Sequence, residues 1–485
     1  TMKKKWAQLY CTLIVLILFV FIPGPAASAE DPLLIPMYSL LLNNSGPSIS
    51  LVKDIYPGVD DDFYPEELFA WNGLLFFNAD DGVHGKEVWM SDGTEAGTKM
   101  LKDINVGPDR SNGYDIYNGD EIDYSLVWDR TFTPMGGTLY FAATSGNHPA
   151  TLWKSDGTAD GTTEVYSVSP GNLTVFNGAL YFTGTPGSDT ELWKSDGTSE
   201  GTEIVKDISE NYSSDAGGES GFTLFNNELY FSAGNTNTNA SPELCGLWKT
   251  DGTGGGTDAV KPGTDLEPYS MAVCNNTLYF VAYDDTNSYD FWKSDGTSVG
   301  TEKLSNYQFS QAPSRFTEYN GSLYFVAEDG AYGRELWRLD CSSGTSTMVK
   351  DINPDAAGSN PQNLTVMGDT LYFKAEEANH GLELWKTDGT GLNTMMVKDI
   401  NPGSSGSSIE SITAYDGMLY FTADDGVHGD ELWISDGTET GTSLLKDINP
   451  GADWSYPYEF TAMNGTLFFT ATDATNGCEL WKLKK

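Results

Sequence analysis

Three loops of this 485-residue sequence combine carboxylates with glycines in a pattern that could bind a hard cation. They read ADDGVHGKEV at 79–88, AEDGAYGREL at 327–336 and ADDGVHGDEL at 423–432. Glycine-bent loops that offer only oxygen ligands can hold calcium. They lack the EF-hand spacing, and Asp-Gly is also a common hairpin pair, so plain turns are the competing interpretation. Ca²⁺ is therefore the candidate cofactor, with candidate ligands Asp80, Asp81, Glu87, Glu328, Asp329, Asp424, Asp425 and Glu431.

Aromatic residues beside acidic ones mark a second kind of candidate site, for binding rather than for metal. Rigid rings stack on sugars or anchor a protein partner at a low cost in conformational entropy. The alternative is that these rings fold back over the strands. The candidate ligand-binding residues are Tyr114, Tyr117, Tyr124, Trp128, Asp60, Asp61, Asp62, Trp454, Tyr456 and Tyr458, in the segments 106–131, 56–65 and 449–458.

Catalytic motifs give no specific signal. Asp and Glu pairs suited to acid/base work occur throughout the sequence, so none stands out, and neither HExxH nor GxxxxGK[ST] is present. The sequence therefore nominates no catalytic residue.

These candidate residues are carried by an internal repeat. Elements such as TLYFAA at 138–143, ELWKSDGT at 191–198 and MVKDI at 396–400 recur in this order along the chain. Short apolar runs bounded by NG, DG and GT pairs are typical of antiparallel strands joined by hairpins. A unit of about 48 residues with four strands has the size of a propeller blade. Nine copies are marked by Trp89, Trp153, Trp193, Trp248, Trp292, Trp337, Trp385, Trp433 and Trp481.

The frame of the repeat predicts how the chain closes. An isolated fourth-strand motif, LVKDI, stands at 51–55 before the first copy, and the last copy ends after its third strand at Trp481. Pairing these two ends would complete one sheet and remove its free edges. The predicted fold is all-β, a single closed β-propeller of nine four-stranded antiparallel blades. Eight blades plus a degenerate unit is the alternative.

The motifs resemble the ELWxxDGT repeat family of bacterial exported proteins, and their blade pattern is similar to that of PD40 or TolB-like β-propellers. The resemblance covers nearly all of the chain after residue 50 and implies the propeller fold. It implies no activity, and the TolB likeness implies protein or peptide binding only by analogy of fold.

The beginning of the sequence predicts export. Residues 1–29 combine Lys3–Lys5, an apolar run at 13–22 and a small-x-small site at 27–29, which is typical of a secretory signal peptide. An uncleaved anchor is the competing interpretation. A linker at 30–49 and the propeller at 50–485 follow. We expect a periplasmic, cell-surface or secreted protein without a transmembrane segment after cleavage.

The cysteines add little to this picture. Cys245, Cys274, Cys341 and Cys478 are too few for a disulfide framework. Cys245 and Cys274 fall at opposite ends of the predicted sheets, so we expect no bridge between them, and Cys274 should lie in the core.

Composition excludes one class of partner. With 27 basic and 69 acidic residues the formal net charge is −42, which repels phosphate backbones and argues against nucleic acid. The pattern favours an exported binding or surface-scaffold protein, monomeric or part of a surface assembly, that recognises a glycan or protein ligand through its irregular loops. The alternative is an extracellular propeller enzyme, a hydrolase or lyase acting on polysaccharide.

Overall fold

The structure is a computed structural model that describes residues 47–58, 64–106, 132–145, 150–185, 190–208, 221–233, 246–262, 266–284, 289–304, 309, 313, 316–328, 330–354 and 358–485. The predicted signal peptide at 1–29, and the linker up to residue 46, lie outside these ranges. So do Asp60, Asp61, Asp62, Tyr114, Tyr117, Tyr124, Trp128 and Asp329. No helix within the described ranges is both long and apolar enough to cross a membrane.

The described residues form nine four-stranded antiparallel sheets, as predicted. In eight of these sheets strands A to D follow one another along the chain and in the sheet, and in the ninth the fourth strand is β1. The first four blades are β2 (Glu66–Trp71), β3 (Leu74–Asp80), β4 (Lys86–Ser91) and β5 (Lys99–Lys102); β6 (Thr133–Met135), β7 (Thr138–Ala143), β8 (Thr151–Ser155) and β9 (Thr163–Tyr166); β10 (Ser169–Phe176), β11 (Ala179–Thr185), β12 (Glu191–Ser195) and β13 (Glu203–Lys206); and β14 (Thr223–Phe225), β15 (Glu228–Ala233), β16 (Gly246–Thr250) and β17 (Asp258–Ala259).

The remaining blades continue the same order. A 3₁₀ turn at Gly254–Gly256 precedes β17. Blades 5 to 8 are β18 (Leu266–Cys274), β19 (Thr277–Asp284), β20 (Tyr289–Ser294) and β21 (Glu302–Lys303); β22 (Thr317–Tyr319), β23 (Ser322–Glu328), β24 (Arg334–Asp340) and β25 (Thr345–Lys350); β26 (Gln362–Met367), β27 (Thr370–Glu377), β28 (Gly381–Thr387) and β29 (Met395–Lys398); and β30 (Glu410–Tyr415), β31 (Met418–Ala423), β32 (Glu431–Ser435) and β33 (Ser443–Lys446). Blade 9 is β34 (Tyr458–Met463), β35 (Thr466–Asp473), β36 (Gly477–Lys484) and β1 (Ser48–Lys53).

The ring closes as the repeat frame predicts. Strand β1 lies beside β36, the strand that bears Trp481. Val52 of β1 is buried in one cluster with Phe77 and Trp89 of blade 1. On the inner side Thr461 of β34 donates to the carbonyl of Leu68 in β2 at 3.0 Å. The ends of the described chain therefore hold blade 9 against blade 1.

The SDGTxxGT signature forms the turn between strands C and D. In blade 8 the buried hydroxyls of Ser435 and Thr442 lie 2.7 Å apart, and Asp436 accepts from the amide and hydroxyl of Thr438 at 2.8 and 2.6 Å. An Asp that accepts from its own turn in this way makes an Asx turn, which fixes the chain reversal. The signature residues thus shape the blade.

A lysine at the end of strand D joins each of several blades to the next. Lys398 of β29 lies 5.8 Å from the centre of the Trp433 ring in blade 8 and donates to the carbonyl of Thr442 at 2.8 Å. A cation over an indole ring contributes about 0.5–2 kcal/mol. The same pairing joins Lys53 to Trp89, Lys102 to Trp153, Lys206 to Trp248 and Lys350 to Trp385.

One disulfide links blade 5 to blade 6. Cys274 at the end of β18 is bonded to Cys341, which follows β24, with 5.9 Å between their Cα atoms. Cys274 is buried, as predicted. Sequence motifs do not predict this pair, because the two residues belong to different copies of the repeat.

Candidate ligand-binding face

The loops of the propeller divide between two faces. The turns between strands A and B and between C and D share one end, where Asn464 after β34 reaches the carbonyl of Gly73 after β2 at 3.0 Å. We call this the turn face. The loops between B and C and between D and A share the other end, where Ser455 donates from its amide to the carbonyl of Asp430 at 3.0 Å. We call this the loop-rich face.

In six blades a buried glutamate near the start of strand C holds the neighbouring D–A loop. Glu431 accepts from the amides of Ile448 and Asn449 at 2.8 and 3.1 Å, and from the hydroxyl of Ser455 at 2.6 Å. A carboxylate that accepts several hydrogen bonds keeps a loop in one conformation. Glu87, Glu191, Glu335, Glu383 and Glu479 accept from loop amides in the same way.

Burial raises the pKa of several of these glutamates. The pKa is raised to about 7 for Glu383 and Glu431 and to about 8 for Glu479, although the hydrogen bonds from the loops lower it. Nearby Asp399, Asp447 and Asp54 add repulsion that raises these pKa values further. Glu383, Glu431 and Glu479 are therefore partly protonated near neutral pH.

These raised pKa values predict that the protein becomes more stable as the solution is acidified from pH ~8.5 to ~5.5. An unfolded glutamate titrates near pH ~4.3, so between that value and 7 to 8 the folded protein binds more protons than the unfolded chain. We expect a thermal midpoint several degrees higher at pH ~5.5 than at ~8.5, measured by circular dichroism. Glu431→Gln removes one such group and should reduce the slope of midpoint against pH; a midpoint that rises with pH would contradict the assignment.

Histidine and acid pairs close the B–C loops. His428 Nδ1 lies 2.8 Å from Asp425 Oδ2, and Asp425 Oδ1 also accepts from the amides of Val427 and His428. The pairing raises the pKa of His428, and its contacts hold the pKa of Asp425 below the ordinary value despite partial burial. His84 pairs with Asp81, and His380 with Glu377, in the same way.

The predicted calcium ligands occupy different positions in these loops. Asp80 and Asp424 each accept from a glycine amide at 2.7 Å, and Asp81 and Asp425 pair with histidines. Glu87 and Glu431 are buried under the D–A loops, and Glu328 lies across from Arg334 on paired strands. Within the described ranges, no three His, Cys, Asp or Glu side chains come together as a metal site. Calcium binding by these loops stays a prediction.

Two of the predicted ligand-binding aromatics are exposed on the loop-rich face. The rings of Trp454 and Tyr456 lie 5.6 Å apart between centroids, and the two residues are 55% and 48% exposed. Tyr458 is half-buried in β34, with its ring 5.8 Å from that of Tyr64. The remaining members of the predicted set lie outside the described residues.

The loop beneath this aromatic pair is fixed by close contacts. The amide of Tyr456 donates to the carbonyl of Asp430 at 3.1 Å, and Asn449 Nδ2 donates to the carbonyl of Trp454 at 3.1 Å. Trp454 also packs over Gly429, where an added Cβ would lie 2.7 Å from its Cδ1 atom. The rings are therefore presented on a rigid support, which lowers the entropy cost of binding.

The inner ends of the A strands form a part of this face that the sequence did not indicate. The second residues of several A strands adopt positive φ within β-bulges, including Glu67 at 58°, Ser411 at 55° and Glu459 at 59°. Non-glycine residues rarely hold this conformation, and strain of this kind clusters at functional sites. The residue types at these positions do not predict the bulge.

Asp430 is a titratable group near these ends of the A strands. Burial, and then the charges of Asp424 and Glu410, raise its pKa to about 6. In other blades the equivalent position holds Lys86, Arg334, Leu382 or Cys478. The position varies in charge from blade to blade while its neighbours repeat, which is the signal that could have identified it.

Comparison with known proteins finds only distant structural similarity. No protein-family model matches the chain, and no curated protein matches it. Similar solved structures include the computationally designed Ika8 protein, at 11% identity over 79% of this chain and 99% of that one, with a TM-score of 0.42. A puromycin hydrolase mutant complexed with PGG matches at 14% identity over 74% and 58%, with a TM-score of 0.40. BamB from Moraxella catarrhalis matches at 10% identity over 74% and 95%, with a TM-score of 0.39.

These similarities transfer no activity or partner. The identities and TM-scores are too low to support any argument about this chain. The resemblance to the ELWxxDGT repeat family rests on the sequence motifs alone.

Proposed function

We propose that this chain is an exported binding protein that recognises a glycan or protein ligand outside the cell through its loop-rich face. The observation that carries the proposal is the exposed pair of Trp454 and Tyr456 on a rigid loop. Large exposed aromatic residues are the usual anchors of recognition surfaces, because they contribute apolar area with few rotatable bonds. The half-buried carboxyl group of Asp430 beside them could orient a ligand.

The predicted export agrees with two further features. The bond between Cys274 and Cys341 suits an oxidising compartment. The net charge of −42 suits an exported protein kept soluble by its carboxylates. A site on the cell surface, in the periplasm or in the medium is equally compatible with both features.

Substituting either residue of the aromatic pair should weaken recognition at this surface. We expect Trp454→Ala and Tyr456→Ala each to weaken binding by about tenfold or more, since truncating an aromatic anchor commonly costs over 1 kcal/mol. Binding of the purified protein to a glycan array and to proteins extracted from the cell envelope measures this effect. The two probe sets distinguish a glycan ligand from a protein ligand.

Leu392→Ala provides the matched control. Leu392 is 88% exposed but lies in the C–D turn of blade 7, on the turn face. Its substitution should leave binding and the thermal midpoint unchanged. Equal binding by the wild type and both aromatic variants would rule out this surface.

A polysaccharide hydrolase or lyase is the second candidate function. Asp430 favours it, because a carboxyl with a pKa of about 6 beside Glu410 and Asp424 could act as an acid near neutral pH. Release of reducing ends or unsaturated products from polysaccharides by the same purified protein tests this candidate.

A further inference from the structure

A cleft of about 380 Å³ lies between blades 6 and 7. Its walls include Thr317 at the start of β22 and Arg334 at the start of β24. Blade 7 contributes Asn360, Gln362, Asn363 and Leu364, which lead into and begin β26. The volume falls in the range of small-molecule sites, which is roughly 300–1,000 Å³. The cleft opens on the loop-rich face, where A strands begin.

The walls of the cleft are held rigidly. The amides of Ser359 and Asn360 donate to the carbonyl of Arg334 at 2.9 and 3.0 Å, and the Ser359 hydroxyl donates to Glu335 at 2.5 Å. A Cβ at Gly358 would lie 2.4 Å from the Arg334 amide nitrogen, so only glycine permits this close approach. A cleft fixed before binding loses little conformational entropy when a ligand enters.

The chemistry of the lining selects the ligand. Arg334 is one of only five arginines in a chain with a net charge of −42. A guanidinium carries five N–H donors in a planar fork, so it can hold a neighbouring side chain and still pair with a ligand carboxylate. Asn360 and Gln362 add amides that both donate and accept, as sugar hydroxyls require. Asn363 adds its amide oxygen as an acceptor, since its Nδ2 donates to Glu410 at 3.3 Å. Leu364 adds an apolar surface for the C–H groups of a sugar ring.

Other blades differ at the position that matters most. Gln362 begins the A strand of blade 7, where blades 1 and 8 begin with Glu66 and Glu410. Those two carboxylates are paired with Lys86 and Lys374. In blade 7 a neutral amide stands at this position, so residue 362 itself does not repel an anion, while Glu328 lies across from Arg334 on the paired strand.

We propose that this cleft binds a uronic acid, the carboxylated form of a sugar, with Arg334 on the carboxylate and the three amides on the hydroxyls. The inference deepens the proposed binding function by naming a ligand class, at a place separate from the Trp454 and Tyr456 pair. The negative field of the protein opposes a long polyanion, so a short terminal unit is the expected ligand.

Digalacturonic acid is the probe that tests the proposal, with neutral galactobiose as its uncharged counterpart. Isothermal titration calorimetry on the purified full chain should detect the acid and not the neutral disaccharide. Arg334→Gln should weaken binding of the acid by at least about tenfold, because it removes a charge-assisted bidentate pair. Gln362→Glu should weaken it as well, since it places the acid of blades 1 and 8 in the cleft.

Arg338→Gln is the matched control. Arg338 lies on the same strand, β24, and its guanidinium is 3.3 Å from Asp340 near the turn face. This variant should bind digalacturonic acid like the wild type. Trp454→Ala should also retain it, so that failure of the aromatic pair and failure of the cleft can be told apart.

Four outcomes would overturn the proposal. They are no binding of the acid by the wild type, equal binding of galactobiose, unchanged binding by a folded Arg334→Gln variant, and preference for a short peptide with a free C-terminal carboxylate. Circular dichroism and the thermal midpoint establish that each variant is folded.

Discussion

Val52→Asp should open the ring and lower the thermal midpoint by many degrees. Val52 is 4% exposed and lies in β1, where it packs with Leu75, Phe77 and Trp89 of blade 1. A carboxylate placed there has no cation to pair with in that cluster of apolar residues. Burying an unpaired charge costs about 3 kcal/mol or more, which is a large part of the stability of a typical domain. The free edge of β36 would then be exposed to pairing with other chains.

Ser50→Asp is the control for this experiment. Ser50 lies on the same strand with its side chain exposed, so the change in net charge is the same while no core is disturbed. We expect a shift within about 0.5 kcal/mol for Ser50→Asp. Thermal unfolding followed by circular dichroism, together with gel filtration for aggregation, separates the two variants. Equal midpoints for both would show that β1 does not close the ring.

Loss of the disulfide should have the second largest effect. Cys274 and Cys341 are 67 residues apart in the sequence, and a cross-link over such a loop restricts the unfolded chain. The chain-entropy model gives about 4 kcal/mol for this separation. We expect the double variant Cys274→Ala and Cys341→Ala to unfold at a clearly lower temperature than the wild type.

A reductant provides the internal control. Dithiothreitol should lower the midpoint of the wild type towards that of the double variant and leave the variant itself unchanged. Alkylation of the denatured, unreduced protein should label neither Cys274 nor Cys341, and mass spectrometry of the peptides measures this. Labelling of both thiols would contradict the bond.

The fold could be predicted because sequence motifs mark where each repeat begins and ends. The tryptophan motif, the aromatic strand before it and the early LVKDI segment at 51–55 together fix the strand order and the closure. Each copy repeats the same local preferences, so an error in one blade is corrected by the others. The sequence left eight blades as an alternative, and the structure decides for nine, since even the least regular copies form four strands.

The roles of the acidic residues were harder to predict. Glu87 and Glu431 look like cation ligands in the sequence, yet their carboxylates are buried and accept from loop amides. The direction of backbone N–H groups in an irregular loop cannot be derived from residue types. One signal was available: a glutamate stands two residues before the tryptophan in six copies, and such regular recurrence is typical of a structural role.

The cleft at Arg334 escaped sequence interpretation for a related reason. Its residues come from two copies of the repeat, at the points where a B–C loop and a D–A loop lead into strands. No local motif therefore contains them. What distinguishes them is a departure from the repeat, an arginine and a glutamine where other blades carry different charges. Comparison of copies with one another therefore finds such positions better than a search for known motifs.

The lysine contacts between blades all run in one direction around the ring, from strand D of one blade to the tryptophan of the next. Head-to-tail contacts of this kind impose no fixed number of subunits by themselves; closure depends only on the rotation between neighbours. A duplicated copy would carry both the strand D lysine and the tryptophan that make these contacts. Propellers of this design could thus change their number of blades by gene duplication without a new kind of interface between blades.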